Sequence, residues 1–265
     1  MGQDKKYSCA YWKEGDSLND TEENMLDIVC QRAELKDDQK ILNLGCGWGA
    51  FSLHAAQTYP HSEITAVSNS NNQRLYIEKI AQERDIKNLK VITQDINDLE
   101  FVEKFDCVVS LEMFEHMRNY QELFTKVAHF LSDEGKLFVH VFCHRELPFT
   151  YEVNSRRDWM AKYFFTGGTM PSRDLFHFFN QDLRVSHQWA VNGQHYSKTL
   201  EAWLENMDAQ KEAIMAILAD REGEKHSRKW WSYWRIFFMA CSEFFAMNDG
   251  KEYFVAHYLL EKSSL

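Results

Sequence analysis

The chain has 265 residues, of which 45% are hydrophobic and 26% charged, the balance of an ordinary globular protein with its own core. Thirty basic against forty acidic side chains leave a net charge of -10, which argues against nucleic acid or an anionic membrane surface as partner, since both need a positive face. The six cysteines are scattered without zinc-ligand spacing, no apolar run approaches a membrane span, and Met1 to Lys6 is polar, so the expectation is a cytoplasmic protein with reduced thiols and no metal.

In chain order the first half alternates strand and helix. Strands are expected at Lys40 to Leu44, Glu63 to Val67, Leu89 to Thr93, Phe105 to Ser110 and Lys136 to Cys143. Helices are expected at Ala50 to Thr58, Asn71 to Glu83 and Tyr120 to Phe130. Apolar strands without polar alternation suit a parallel sheet covered on both faces. Such β–α units imply a doubly wound α/β sheet with its ligand at the carboxyl ends of the strands. The second half is rich in large aromatics, with helices expected at Glu201 to Leu218 and Ser227 to Met247 and late strands at Leu183 to Val191 and Tyr253 to Glu261. Those aromatics read first as core and, more sharply, as walls of a pocket for an apolar or aromatic substrate.

The turn Gly45-Cys46-Gly47-Trp48-Gly49 joins a strand to a helix, the context that a glycine-rich cofactor loop requires. Its alternate spacing departs from the G-x-G-x-x-G dinucleotide pattern. It resembles the first motif of class I methyltransferases, whose sheet is Rossmann-like. That superfamily usually has an acid before the loop, where this chain has Asn43, and another at the end of the second strand. Here the second strand ends in Ser68, Asn69 and Ser70, with Gln73 after it; amides and hydroxyls also hydrogen-bond a ribose diol. The third strand ends on Asp95 and Ile96, where an acid can accept from the amine of adenine. Each of these residues alone also reads as a helix cap or loop solvator. Their order at successive strand ends supports a site for S-adenosylmethionine built from Gly45, Gly47, Gly49, Asn69, Ser70, Gln73, Asp95, Ile96 and Ser110.

Three segments, Tyr7-Ser8-Cys9-Ala10-Tyr11-Trp12, Glu112-Met113-Phe114-Glu115-His116-Met117 and Phe164-Phe165-Thr166-Gly167-Gly168-Thr169-Met170-Pro171, resemble one branch of that superfamily. The branch holds the cyclopropane fatty acid synthases and the coclaurine-type N-methyltransferases of alkaloid pathways, and the likeness runs from Lys6 to Lys262. It implies that Tyr7, Ser8 and Tyr11 lie across the cofactor at its methionine end. It also makes the Ser68-Asn69-Ser70 stretch normal for the branch, and S-adenosylhomocysteine the product. Family members usually carry a longer helical segment before Tyr-Ser-Cys. The chain then divides as one class I domain over 1–265: a cofactor-covering segment (1–39), a cofactor-binding core (40–144), substrate-binding insertions with a late strand (145–252) and a last strand (253–265).

The acceptor is the open question. An amine must be neutral when it attacks, so a base or an anionic site that positions the nitrogen is useful. Glu112, Glu115 and His116 follow the fourth strand; if a helix starts there, Glu112 and His116 share a face, although acids at a helix start also complement its dipole. Alkaloid N-methyltransferases carry this Glu-x-x-Glu-His arrangement, with the first Glu and the His assigned to catalysis. Cyclopropane synthases typically have glycine at the position of Glu112. Those synthases also hold a bicarbonate base with a Cys, a Glu, a His and a Tyr, matched here by Cys9, Glu115, His140 and Tyr196. The expectation is therefore N-methylation of a small aromatic or alkaloid-like amine, with bicarbonate and a homodimer left open. Lipid cyclopropanation or methylation is the alternative, and a catalytically inactive cofactor-binding module the third reading.

Overall fold

The computed structural model describes residues 1–263, so Ser264 and Leu265, the end of the expected 253–265 segment, lie outside the described residues. One seven-stranded sheet organises the chain. Its strands are β1 (Lys40–Leu44), β2 (Glu63–Ser68), β3 (Leu89–Thr93), β4 (Phe105–Leu111), β5 (Leu131–His144), β8 (Leu183–Val191) and β9 (Tyr253–Lys262), while β6 (Phe149–Thr150) and β7 (Thr169–Met170) form a separate small hairpin. The sheet order is β3-β2-β1-β4-β5-β9-β8. The first five strands are parallel, and β9 and β8 add on antiparallel. This is the class I methyltransferase sheet. The order reverses between β1 and β4, which opens a crevice at their carboxyl ends.

Side-chain alternation sends two apolar sets to opposite faces. On one face Ile41, Val109, Phe138, Val255 and Leu259 pack against α1 (Leu18–Arg32), α2 (Ala50–Thr58) and α6 (Gly193–Ala209). On the other, Leu42, Val108, Val139 and Leu260 meet Phe124 and Val127 of α4 (Tyr120–Phe130) and Phe176 of a short 3-10 turn. The remaining helices are α3 (Asn71–Glu83), α5 (Trp159–Tyr163), α7 (Lys211–Glu222) and α8 (Glu224–Gly250).

Three expectations change. The fifth strand, expected from Lys136, begins at Leu131. The helix expected over Glu201 to Leu218 is two helices broken at Gln210. The segment after β4 is a 3-10 turn, Phe114–His116, so no helix face is shared by Glu112 and His116.

Candidate active site

The amino-terminal segment lies across the crevice. Lys5 Nζ sits over the Tyr76 ring at 3.9 Å, Cys9 N–H donates to Glu112 Oε1 at 3.0 Å, and Ala10 N–H donates to Thr199 Oγ1 at 3.2 Å. Tyr7 covers the glycine loop so closely that a Cβ on Gly47 would fall 2.7 Å from its ring. Gly47 also has φ +54°, in the left-handed region, so the loop needs glycine there on two counts. A cleft lined by Tyr7, Ser8, Gly45, Gly47 and Glu112 separates segment and loop. Further along the crevice, one oxygen of Asp95 accepts from Asn97 backbone and side chain, both at 2.8 Å. Asn69 is exposed, and Ser70 caps α3 by accepting from Gln73 N–H. Gln73 Oε1 accepts from Ser68 at 2.5 Å, which leaves its amide nitrogen free of that contact.

Two of the expected cofactor residues are used elsewhere. Ser110 is fully buried and donates to Leu44 O at 3.0 Å, tying β4 to β1 inside the sheet. Tyr11 stacks on His195 with ring centres 4.2 Å apart and does not line the cleft. Its partner ring lies on α6, so it fastens the segment to the helical half.

Beyond the cleft opens a cavity of about 950 Å³ walled by aromatic side chains, among them Tyr151, Phe165, Trp203, Trp234, Phe237 and Phe245. Glu112, Glu115 and His116 all line it. Glu112 also lines the cleft, so its carboxylate stands where the two spaces meet. Three donors converge on that carboxylate: Cys9 N–H, His140 Nε2 at 3.2 Å on Oε1, and Tyr196 OH at 2.6 Å on Oε2. Cys9, His140 and Tyr196 are thus gathered as the resemblance implied, but around Glu112 rather than Glu115. Holding Glu112 there costs a left-handed backbone, φ +47°.

The two carboxyls differ in support. Burial pushes both above the ordinary range, but Glu112 is held back by the Tyr196 hydroxyl, by the Lys6 charge and by Cys9 N–H. Glu115 is 1% exposed, its Oε2 has no hydrogen-bond partner among the described residues, and Glu112 beside it repels a second charge. Its carboxyl is therefore raised well above the usual range, after burial as the first cause. Environments that separate two carboxyls in this way assign one as anion and the other as acid. His116 is exposed, its ring is tilted against that of Phe165 with centres 5.0 Å apart, and partial desolvation pulls it below the ordinary imidazole value, with Glu112 opposing.

The sequence pattern of the mycolic acid cyclopropane synthetase family matches residues 1–253. (S)-Coclaurine N-methyltransferase of Thalictrum flavum subsp. glaucum is 36% identical over 266 residues, covering 98% of this chain and 74% of that enzyme. The chain belongs to this family. It is an S-adenosylmethionine-dependent methyltransferase. A solved structure of coclaurine N-methyltransferase bound to N-methylheliamine and SAH matches with a TM-score of 0.94 at 37% identity, covering 98% of this chain and 78% of that one. The cyclopropane-fatty-acyl-phospholipid synthase of Escherichia coli (strain K12) is more distant, at 30% identity over 92% of this chain and 59% of that enzyme.

Sequence reasoning missed three residues at the centre of this methyltransferase. Lys6 is 3% exposed and bonds Ser8 Oγ at 2.7 Å and the Cys9 carbonyl, so it anchors the covering segment from below. His257 and Arg32 continue the contacts of His140 away from the cavity. A lone histidine inside the apolar run Tyr253 to Leu260 was the available signal for His257.

Proposed function

We propose that this enzyme transfers the methyl group of S-adenosylmethionine to the nitrogen of an aromatic or alkaloid-like amine bound in the large cavity. The observation that carries this is the position of Glu112, whose carboxyl stands at the junction of the cofactor cleft and an aromatic-walled cavity. The residues along the crevice suit the cofactor: Gly47 permits a close backbone approach that a Cβ would block, and Asp95 keeps an oxygen outside its Asn97 contacts. When bound, the cofactor supplies an electrophilic methyl on a sulfonium sulfur.

The chain's own groups do the rest. The aromatic walls take up the ring of the acceptor and exclude water, which aligns nitrogen and methyl for an in-line displacement. A carboxylate has about four acceptor sites, and three donors occupy three of them on Glu112. The remaining site is the one that holds the amine nitrogen by its N–H. Glu112 takes up the proton that the nitrogen must shed, and His116, exposed beside it, hands it to solvent. Glu115, neutral through burial, donates rather than accepts.

Cyclopropanation with a bicarbonate base is the weaker reading. The donors that such an ion would need, Cys9 N–H, His140 and Tyr196, are engaged by the Glu112 carboxylate, and no step is routed through bicarbonate. Methyl-labelled cofactor should be tested against a panel of arylalkylamines and isoquinolines beside unsaturated phospholipids. Label should appear in amines and be absent from lipid; label in the phospholipid alone would reverse the choice.

A further inference from the structure

Two histidines, His140 from the family match and His257 that no motif marks, lie inside the sheet. His140 on β5 and His257 on β9 are direct cross-strand partners, both fully buried, with side chains on the same face. Trp189 of β8 continues the row opposite His257, and the Arg32 guanidinium, from the last turn of α1, lies 5.3 Å from its ring centre. Hydrogen bonds run along this row without a break. Arg32 Nη1 is 2.9 Å from His257 Nδ1, His257 Nε2 is 2.8 Å from His140 Nδ1, and His140 Nε2 is 3.2 Å from Glu112 Oε1.

The outer end fixes the direction. A guanidinium has donors only and keeps its proton. A neutral imidazole has one donor and one acceptor. Burial, together with the charges of Arg32 and Lys6, holds both rings well below the ordinary imidazole range, so both are neutral. His257 Nδ1 must accept from Arg32, which leaves His257 Nε2–H to donate to His140 Nδ1. His140 Nε2–H is then left to donate to Glu112. The opposite direction would require Arg32 to accept a hydrogen bond, which it cannot do.

We propose that Arg32 and His257 are positioning residues that lock His140 in the tautomer whose Nε2–H meets the Glu112 carboxylate. This deepens the proposed role of Glu112 and rests on it. The same direction closes one route for protons. A proton taken up by Glu112 cannot leave along the row, because each hop ends at a group without a free acceptor. It leaves through the cavity, on the side of His116.

The test is a two-bond proton–nitrogen NMR spectrum of histidine-labelled enzyme at neutral pH, assigned with H140Q and H257Q variants. His140 and His257 should both be neutral with the proton on Nε2. An Nδ1–H or imidazolium His140 would overturn the proposal. Turnover supplies a second readout. The His257→Gln amide can accept from Arg32 and donate to His140, whereas His257→Leu can do neither. His257→Leu should lower kcat on the best amine by on the order of tenfold, as loss of an orienting partner commonly does. KM for the cofactor should hold, and His257→Gln should recover most of the loss. Equal kcat in the two variants would also overturn it. If His257→Leu does not fold, the wild-type spectrum decides. Because the spectrum needs no turnover, Nε2–H tautomers in a protein that methylates no amine would refute the amine reading and leave the lock standing.

Discussion

At Glu112 the backbone takes a left-handed conformation that a non-glycine residue adopts at a cost of about 1–3 kcal/mol. Glycine, the residue typical of cyclopropane synthases at this place, would relieve that strain. The chain tolerates it to set a carboxylate among three donors. Glu115 carries a different burden. Its carboxyl has an ordinary value of 4.5 in the unfolded chain and a value well above that when folded. The folded state therefore binds more protons, so the contribution of Glu115 is fully present below pH 4.5 and is lost as pH rises through the folded value. Glu115→Gln keeps the neutral form at every pH. Its Tm should therefore gain on wild type as pH rises from 5 towards neutrality; a difference that stays flat with pH would contradict a buried, neutral Glu115. Glu112, Glu115, His116, Cys9, His140 and Tyr196 were all legible as residues of one site, because each sits in or beside a motif or matches a family position. Arg32 and His257 were not. They stand 225 positions apart: the β5–β9 register sets His257 beside His140, and the packing of α1 on the sheet brings Arg32 to His257. Ser110 and Tyr11 stand at the expected positions, with their side chains bonded to Leu44 O and stacked on His195.

The first four strands and the helices α2 to α4 follow their sequence signals almost to the residue, since buried parallel strands are short apolar runs closed by turn residues. By contrast, β5 starts five residues early, at Leu131, across the polar stretch Ser132 to Gly135. The first helix was not foreseen, although Ser17 and Asp20 form a reciprocal capping box that announces it. The break at Gln210 left no mark, as the sequence on both sides suits a helix and has neither proline nor glycine. The glycine loop is the element whose chemistry is most exposed to test. Gly47→Val puts a branched side chain at a positive φ and 2.7 Å from the Tyr7 ring, in the cleft proposed for the cofactor. Calorimetry should register S-adenosylmethionine binding to wild type and none to this variant, with the fold retained by circular dichroism. Undiminished binding would show that the cleft is not the cofactor site.

On the scale of the whole molecule, the parallel half of the sheet ends at the cofactor cleft, and the helices of the second half roof an aromatic cavity at the same edge. The amino-terminal segment closes the seam through Lys5, Lys6 and Cys9. Among the described residues no helix is long and apolar enough to cross a membrane. Everything converges on one carboxylate between two spaces, so its removal is the decisive experiment. The pH–rate profile of Glu112→Gly should be measured beside wild type on the best amine substrate. At neutral pH the variant should be slower by about a hundredfold, the scale of lost general-base help. The deficit should narrow at high pH, where the amine is already neutral. A Glu112→Gly enzyme with the rate and profile of wild type would contradict an amine acceptor served by this carboxylate.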